Sequence, residues 1–82
     1  MIDNEYVKRK CTLLIERLEK ETKNVPGYLP AERQLRAAEA LLKATSVDVP
    51  NWETLDAILL EVKEDGTMGF ELWNWGHQLK NR

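Results

Sequence analysis

The chain has 82 residues, 43% hydrophobic and 32% charged, with a net charge of −2. At this length one core forms, burying roughly 60 to 65% of the unfolded surface, and the balance of apolar and charged residues excludes the disordered class. A lone cysteine, Cys11, excludes an internal disulfide framework, and no run reaches the roughly 18 apolar residues that span a bilayer. A single domain over residues 1–82 is therefore expected. The reduced cysteine, and a start at Met1-Ile2-Asp3-Asn4-Glu5 without a basic stretch and an apolar run, point to a cytoplasmic protein.

The first segment reads as a helix from about Asn4 to Lys23. Asp3 is placed to cap it, and Ile2 and Val7 to close a hydrophobic staple across the cap. Val7, Cys11, Leu14 and Leu18 recur at helical spacing and face the core, with Ile15 widening the stripe. Tyr6 and Leu13 form a second stripe beside Lys10, Arg17 and Lys20, suited to a neighbouring helix or to a partner. Glu5/Arg9, Glu16/Lys20 and Glu19/Lys23 are i,i+4 pairs in the favourable order.

Pro26-Gly27 fits the centre of a type II turn, and Pro30 fits the first turn of a second helix running to about Thr45. Its apolar face is Ala31, Leu35, Ala38, Leu41 and Leu42. After a connection over residues 46–51, Trp52, Leu55, Ile58, Leu59 and Val62 share one arc of a third helix from about Asn51 to Glu64. Gly66 suits its end, and Thr67 would cap a fourth helix to about Lys80, although Gly69 and Gly76 each weaken a helix by about 1 kcal/mol relative to alanine.

The fold class expected is all-α, a small bundle of about four helices. The alternative is three helices with a C-terminal β-hairpin, because residues 60–72 alternate on both sides of Asp65-Gly66, a strong hairpin dipeptide. Against it stand the 3,4,3 spacing from Trp52 and the marginal stability of a lone two-stranded hairpin.

Charge is unevenly spread: residues 1–24, 25–46 and 67–82 each carry +1, and residues 47–66 carry −5. Such a segment serves as a solvated face or as an acidic surface for a basic partner. On a helical wheel Leu60 points roughly 140° away from the centre of the third helix's apolar arc, among Glu53, Asp56 and Glu64. In the fourth helix Met68, Leu72, Trp75 and Leu79 form one stripe, and Phe70, Trp73 and His77 another on nearly the opposite side. A chain this small cannot bury both, so one aromatic face is expected at the surface.

Catalytic groups are few: one cysteine, one histidine and Ser46. Cys11 lies on the expected core stripe, far from the role of a nucleophile paired with His77. Glu61, Glu64 and Asp65 lack the loop spacing of a calcium site, and Cys11 with His77 falls short of a zinc set. The chain is thus expected to be no enzyme and to use no cofactor or metal. The leading expectation is a small acidic inhibitor, adaptor or regulator that binds another protein, with a basic surface as the complementary target. Its candidate binding residues are Glu53, Asp56, Leu60, Glu61, Glu64, Phe70, Trp73 and His77. Homo-oligomerisation is a further option.

Two other classes are weighed. One is a small-molecule or nucleotide pocket built from Trp52, Trp73, Trp75 and Tyr28, with Arg33 or Arg36 meeting an anion. The other is a helix-turn-helix, which phosphates would repel because its recognition helix carries Glu53, Asp56, Glu61 and Glu64.

Overall fold

Four helices and no strand make up the described residues, 2–81, of this computed structural model. They are α1 (Asn4–Asn24), α2 (Leu29–Ala44), α3 (Trp52–Val62) and α4 (Thr67–Lys80). Asp3 opens α1 by accepting the Tyr6 N–H at 2.9 Å, which satisfies one of the donors every helix start leaves unpaired. Ile2 packs back onto the core that contains Val7, as a staple requires. Gly27, at φ +84°, reverses the chain between α1 and α2, and the Tyr28 N–H closes the turn on the Val25 carbonyl at 3.4 Å. Pro30 falls in the first turn of α2. Asn51 opens α3 by accepting the Thr54 N–H at 3.2 Å.

The Asp65-Gly66 pair joins two helices and makes no hairpin. The Asp65 N–H bonds the Val62 carbonyl at 2.9 Å, and Gly66, at φ +92° and ψ −172°, redirects the chain so that its carbonyl accepts the Phe70 N–H. Helical spacing wins because it buries Leu55, Leu59 and Val62 on one side of the turn and Leu72, Trp75 and Leu79 on the other. An isolated hairpin would break the first of these sets and leave its own backbone edges unpaired.

α2 lies at the centre, packed against α1, α3 and α4. A helix with neighbours on three sides needs small side chains around most of its circumference. This explains why Ala37, off the expected stripe, is fully buried, while Leu35 and Leu42 are only half-buried. The glycines of α4 have the same cause. A Cβ added at Gly69 would run into the Val62 carbonyl oxygen, and one at Gly76 into Leu59, with Leu41 behind. Close approach of α4 to α3 and α2 thus offsets the loss of helix propensity.

Asp65, expected at the surface with Glu61 and Glu64, is instead drawn inward. Arg33 grips its carboxylate, and Gln34 donates to its carbonyl oxygen at 2.8 Å, so the start of α2 holds the α3–α4 turn. Along α1 the ion pair that closes is Arg17–Glu21 at 3.5 Å, and Glu5/Arg9, Glu16/Lys20 and Glu19/Lys23 do not close. Such exposed pairs gain too little to hold two long side chains in one geometry. No helix among the described residues is long and apolar enough to cross a membrane.

Candidate functional site

The two apolar stripes of α4 have different fates. Leu72, Trp75 and Leu79 enter the core together with Gly69 and Gly76. Phe70, Trp73 and His77, at spacings of three and four, form a row of neighbouring rings on the other side, with Phe70 and His77 exposed and Trp73 half-buried against the core. The Phe70 and Trp73 rings lie 5.7 Å apart, and the His77 ring lies parallel to Trp73 at 5.2 Å and 11°. From the end of α3 the Lys63 ammonium sits 4.1 Å from the centre of the Trp73 ring, within the ~6 Å reach of a cation–π contact. Trp73 is therefore held by three neighbours while half-buried, and Phe70 stays 48% exposed. Asn81 Nδ2 donates to the His77 carbonyl oxygen at 3.0 Å, closing the end of the stack.

Leu60 joins this surface through the register of α3 on α4. Asp56, Leu60 and Lys63 are spaced by four and three and so share one stripe of α3. Lys63 reaches Trp73, and Asp56 accepts from Lys80 at 2.6 Å. Leu60, 61% exposed, stands between these two cross-links. Glu53 and Glu64 flank it, exposed and without an ion pair among the described residues.

The structure thus gathers Leu60, Phe70, Trp73 and His77, with Glu53 and Glu64 at the acidic edge and Asp56 partly neutralised by Lys80. Glu61 is not brought in. It lies on the α2 side of α3, where its charge and the Asp65 hydrogen bond both favour the cationic form of Arg33, the Asp65 bond more strongly. Lys63 was not singled out from the sequence. Its place three residues after Leu60 was the available signal, but only the packing of α3 on α4 shows that it meets Trp73.

Other groupings do not assemble. Cys11 is fully buried on the core side of α1, and desolvation pushes its thiol up to about 12, so the thiolate that nucleophilic attack needs is absent near neutral pH. His77 faces outward on α4, away from that core. With Asp65 turned to Arg33, the three carboxylates near the end of α3 diverge, and among the described residues no group of three or more His, Cys, Asp or Glu gathers. The four aromatics weighed for a small-molecule pocket are also dispersed. Tyr28 lies at the start of α2, and Trp52 lines a hollow with Ala44 at its other end. Trp75 meets Tyr6 edge-on at 6.4 Å, and Trp73 lies half-buried on the other side of α4, against Phe70 and His77.

The second stripe of α1 has a definite setting. It forms one wall of an open slot of about 490 Å³ between α1 and α4, where Tyr6 and Leu13 face Trp75. Lys10 and Arg17 run along the α1 lip, and Glu71 stands on the α4 lip. Leu13 is 60% exposed there. No protein-family model, curated protein or solved structure matches the chain.

Proposed function

We propose that the chain is a non-catalytic protein-interaction module, an inhibitor, adaptor or regulator that binds a partner protein through the outer face of α3 and α4. The observation that carries this reading is the seating of Trp73. One side of the half-buried indole packs against the core, and Phe70, His77 and Lys63 hold its outer edge in one orientation at the surface. A fixed aromatic loses little conformational entropy on binding, which is why such residues dominate interface energetics.

Leu60 and Phe70 extend the anchor on either side, and Glu53 and Glu64 form an acidic rim. A partner with an apolar hollow bordered by lysine or arginine complements this pattern. The aromatic centre supplies affinity, and the rim sets orientation and association rate. A protein whose basic surface normally meets phosphate is one such target, and nucleic acid itself is not. Binding needs no cofactor or metal.

Capture from the native host with immobilised chain tests the reading. One partner should be retained by the wild type and lost by Phe70→Ala/Trp73→Ala. Its association should slow, with weaker salt dependence, when Glu53 and Glu64 are neutralised together to Gln. Capture that survives both changes sinks the proposal, and so does tight binding to mixed duplex DNA at low salt.

A further inference from the structure

The acidic edge on α3 has a counterpart on the same side of the molecule. α4 packs closely on α3 and meets α1 through Tyr6 and Trp75 at the floor of the slot, with α2 behind. It therefore runs down the middle of one broad side, flanked by α1 and α3. Along α1 that side presents Lys10, Leu13 and Arg17, and along α3 it presents Glu53, Leu60 and Glu64, all exposed. The α1 edge carries the cations Lys10 and Arg17, the latter in an exposed pair with Glu21 at 3.5 Å. The α3 edge carries the carboxylates Glu53 and Glu64. Each edge has a leucine at its centre, and Phe70 lies between them.

We infer that this side is a self-complementary interface, which pairs two copies of the chain about a two-fold axis parallel to α4. In such a contact each residue that meets another is met by it in return on the second copy. An axis along α4 lays α1 of one copy over α3 of the other, with both helices pointing the same way. An axis across the helices would set basic edge on basic edge, so charge selects the first arrangement.

The levels along the bundle agree with this pairing. Asn4, Trp52 and Lys80 line one hollow and so share one end. Counted from there at about 1.5 Å per residue, Leu13 and Leu60 lie at ~13 and ~12 Å, and Arg17 and Glu64 at ~20 and ~18 Å. The level of Arg17 is independently fixed, because it lines a second hollow with Asp65 and Thr67 at the α3–α4 turn. Leu13 of one copy then meets Leu60 of the other, Arg17 exchanges its exposed Glu21 pair for Glu64, and Lys10 reaches toward Glu53, each contact occurring twice. Phe70 meets its own copy beside the axis. The molecule measures 36 × 21 × 20 Å, so the outline of one long side is of the order of the ~800 Å² per partner of a standard interface.

This inference rests on the reading of the α3/α4 face as a binding surface and names a second copy as its resident occupant. A basic partner would displace that copy by reproducing the charges of the α1 edge.

Sedimentation velocity across a concentration series tests the pairing. The mass should rise from 9.5 kDa toward twice that value as concentration increases. Arg17→Glu or Glu64→Lys alone should weaken the dimer about tenfold or more, since each places like charges opposite one another at two points. The double variant Arg17→Glu/Glu64→Lys should recover to within a few-fold of the wild type, and Leu13→Asp should abolish pairing. Circular dichroism checks that each variant keeps its helices. A mass that stays at 9.5 kDa throughout overturns the inference, as do single variants that pair normally or a double variant no better than either single. Leu13→Asp also separates the two readings, because it leaves the α3/α4 face intact. Partner capture by this variant sustains the proposed function whatever the wild type's mass, and a wild-type dimer that captures nothing sustains the interface alone.

Discussion

Arg33 at the start of α2 grips both oxygens of Asp65 in the α3–α4 turn, with Nε at 2.9 Å from Oδ2 and Nη2 at 3.2 Å from Oδ1. The two residues are 32 positions apart, so the contact joins the α1–α2 half of the chain to the α3–α4 half. The carboxylate is the less exposed partner, at 16% of its side-chain surface against 33% for the guanidinium. Which partner is removed therefore matters. Arg33→Met strands the more buried charge, whereas Asp65→Asn leaves a guanidinium that still reaches water and one remaining acceptor oxygen. Urea titrations should give a lower midpoint for both, lower for Arg33→Met, with the slope unchanged. The reverse order would mean that water already reaches the carboxylate.

Gly69 and Gly76 set helix propensity against packing. Alanine at either site favours the helix by about 1 kcal/mol in isolation. At Gly69 the new methyl meets the Val62 carbonyl oxygen, a backbone atom that cannot turn aside, so α4 must move off α3. Gly69→Ala should destabilise by about 1–3 kcal/mol net, a fall of roughly 4–8 °C in Tm per kcal/mol for a domain of this size. Gly76→Ala meets the end of the Leu59 side chain, which is able to change rotamer, and should lose less. Thermal melts of the two variants distinguish this order from the gain that propensity alone would give.

Gly66 differs from both, because space around its Cβ position is open and the constraint is the backbone. Its φ of +92° and ψ of −172° lie in a region essentially restricted to glycine, where another residue is strained by about 1–3 kcal/mol. Asparagine, which tolerates the ordinary left-handed region, should gain nothing over alanine here. Gly66→Ala and Gly66→Asn should therefore melt at similarly lowered temperatures. A clear advantage for asparagine would place the turn in the left-handed helical region instead.

The parts of this fold that could be read from the sequence are those whose cause is local. Val7, Cys11, Leu14 and Leu18 on α1, and Leu55, Leu59 and Val62 on α3, repeat with the helical period and are all buried. The second stripe of α4 divides: Phe70 and His77 stay exposed, as the limited core of a small domain suggests, whereas Trp73 is half-buried against the core. Ala37 gives little hydrophobic signal because its side chain is a methyl group, although the central position of α2 buries it fully. The inward turn of Asp65 has no local signal, because its partner lies 32 residues away. Lys63 went unremarked because its seat over Trp73 depends on how α3 and α4 are registered against each other. The ion pairs expected along α1 show the opposite error, in which spacing permits a contact that exposed side chains have no reason to keep.

Burial of Cys11 links stability to alkaline pH. Desolvation raises its thiol from 9.0 to about 12, so the folded chain holds this proton where the unfolded chain has released it. Below about pH 9 both states are protonated and the full stability is present. Above it the unfolded state binds fewer protons, and the free energy of unfolding falls by about 1.4 kcal/mol per pH unit until the folded thiol itself ionises. Tyrosines and lysines titrate in the same range, so the thiol's share is the difference between the wild type and Cys11→Ala. Urea titrations at about pH 8 and about pH 10 should show the wild type losing roughly 1.4 kcal/mol more than the alanine variant between the two. The variant begins less stable, because a cavity replaces the sulfur, and the gap should narrow as pH rises. Parallel losses would mean that the thiol ionises as easily folded as unfolded, and that water reaches the core side of α1.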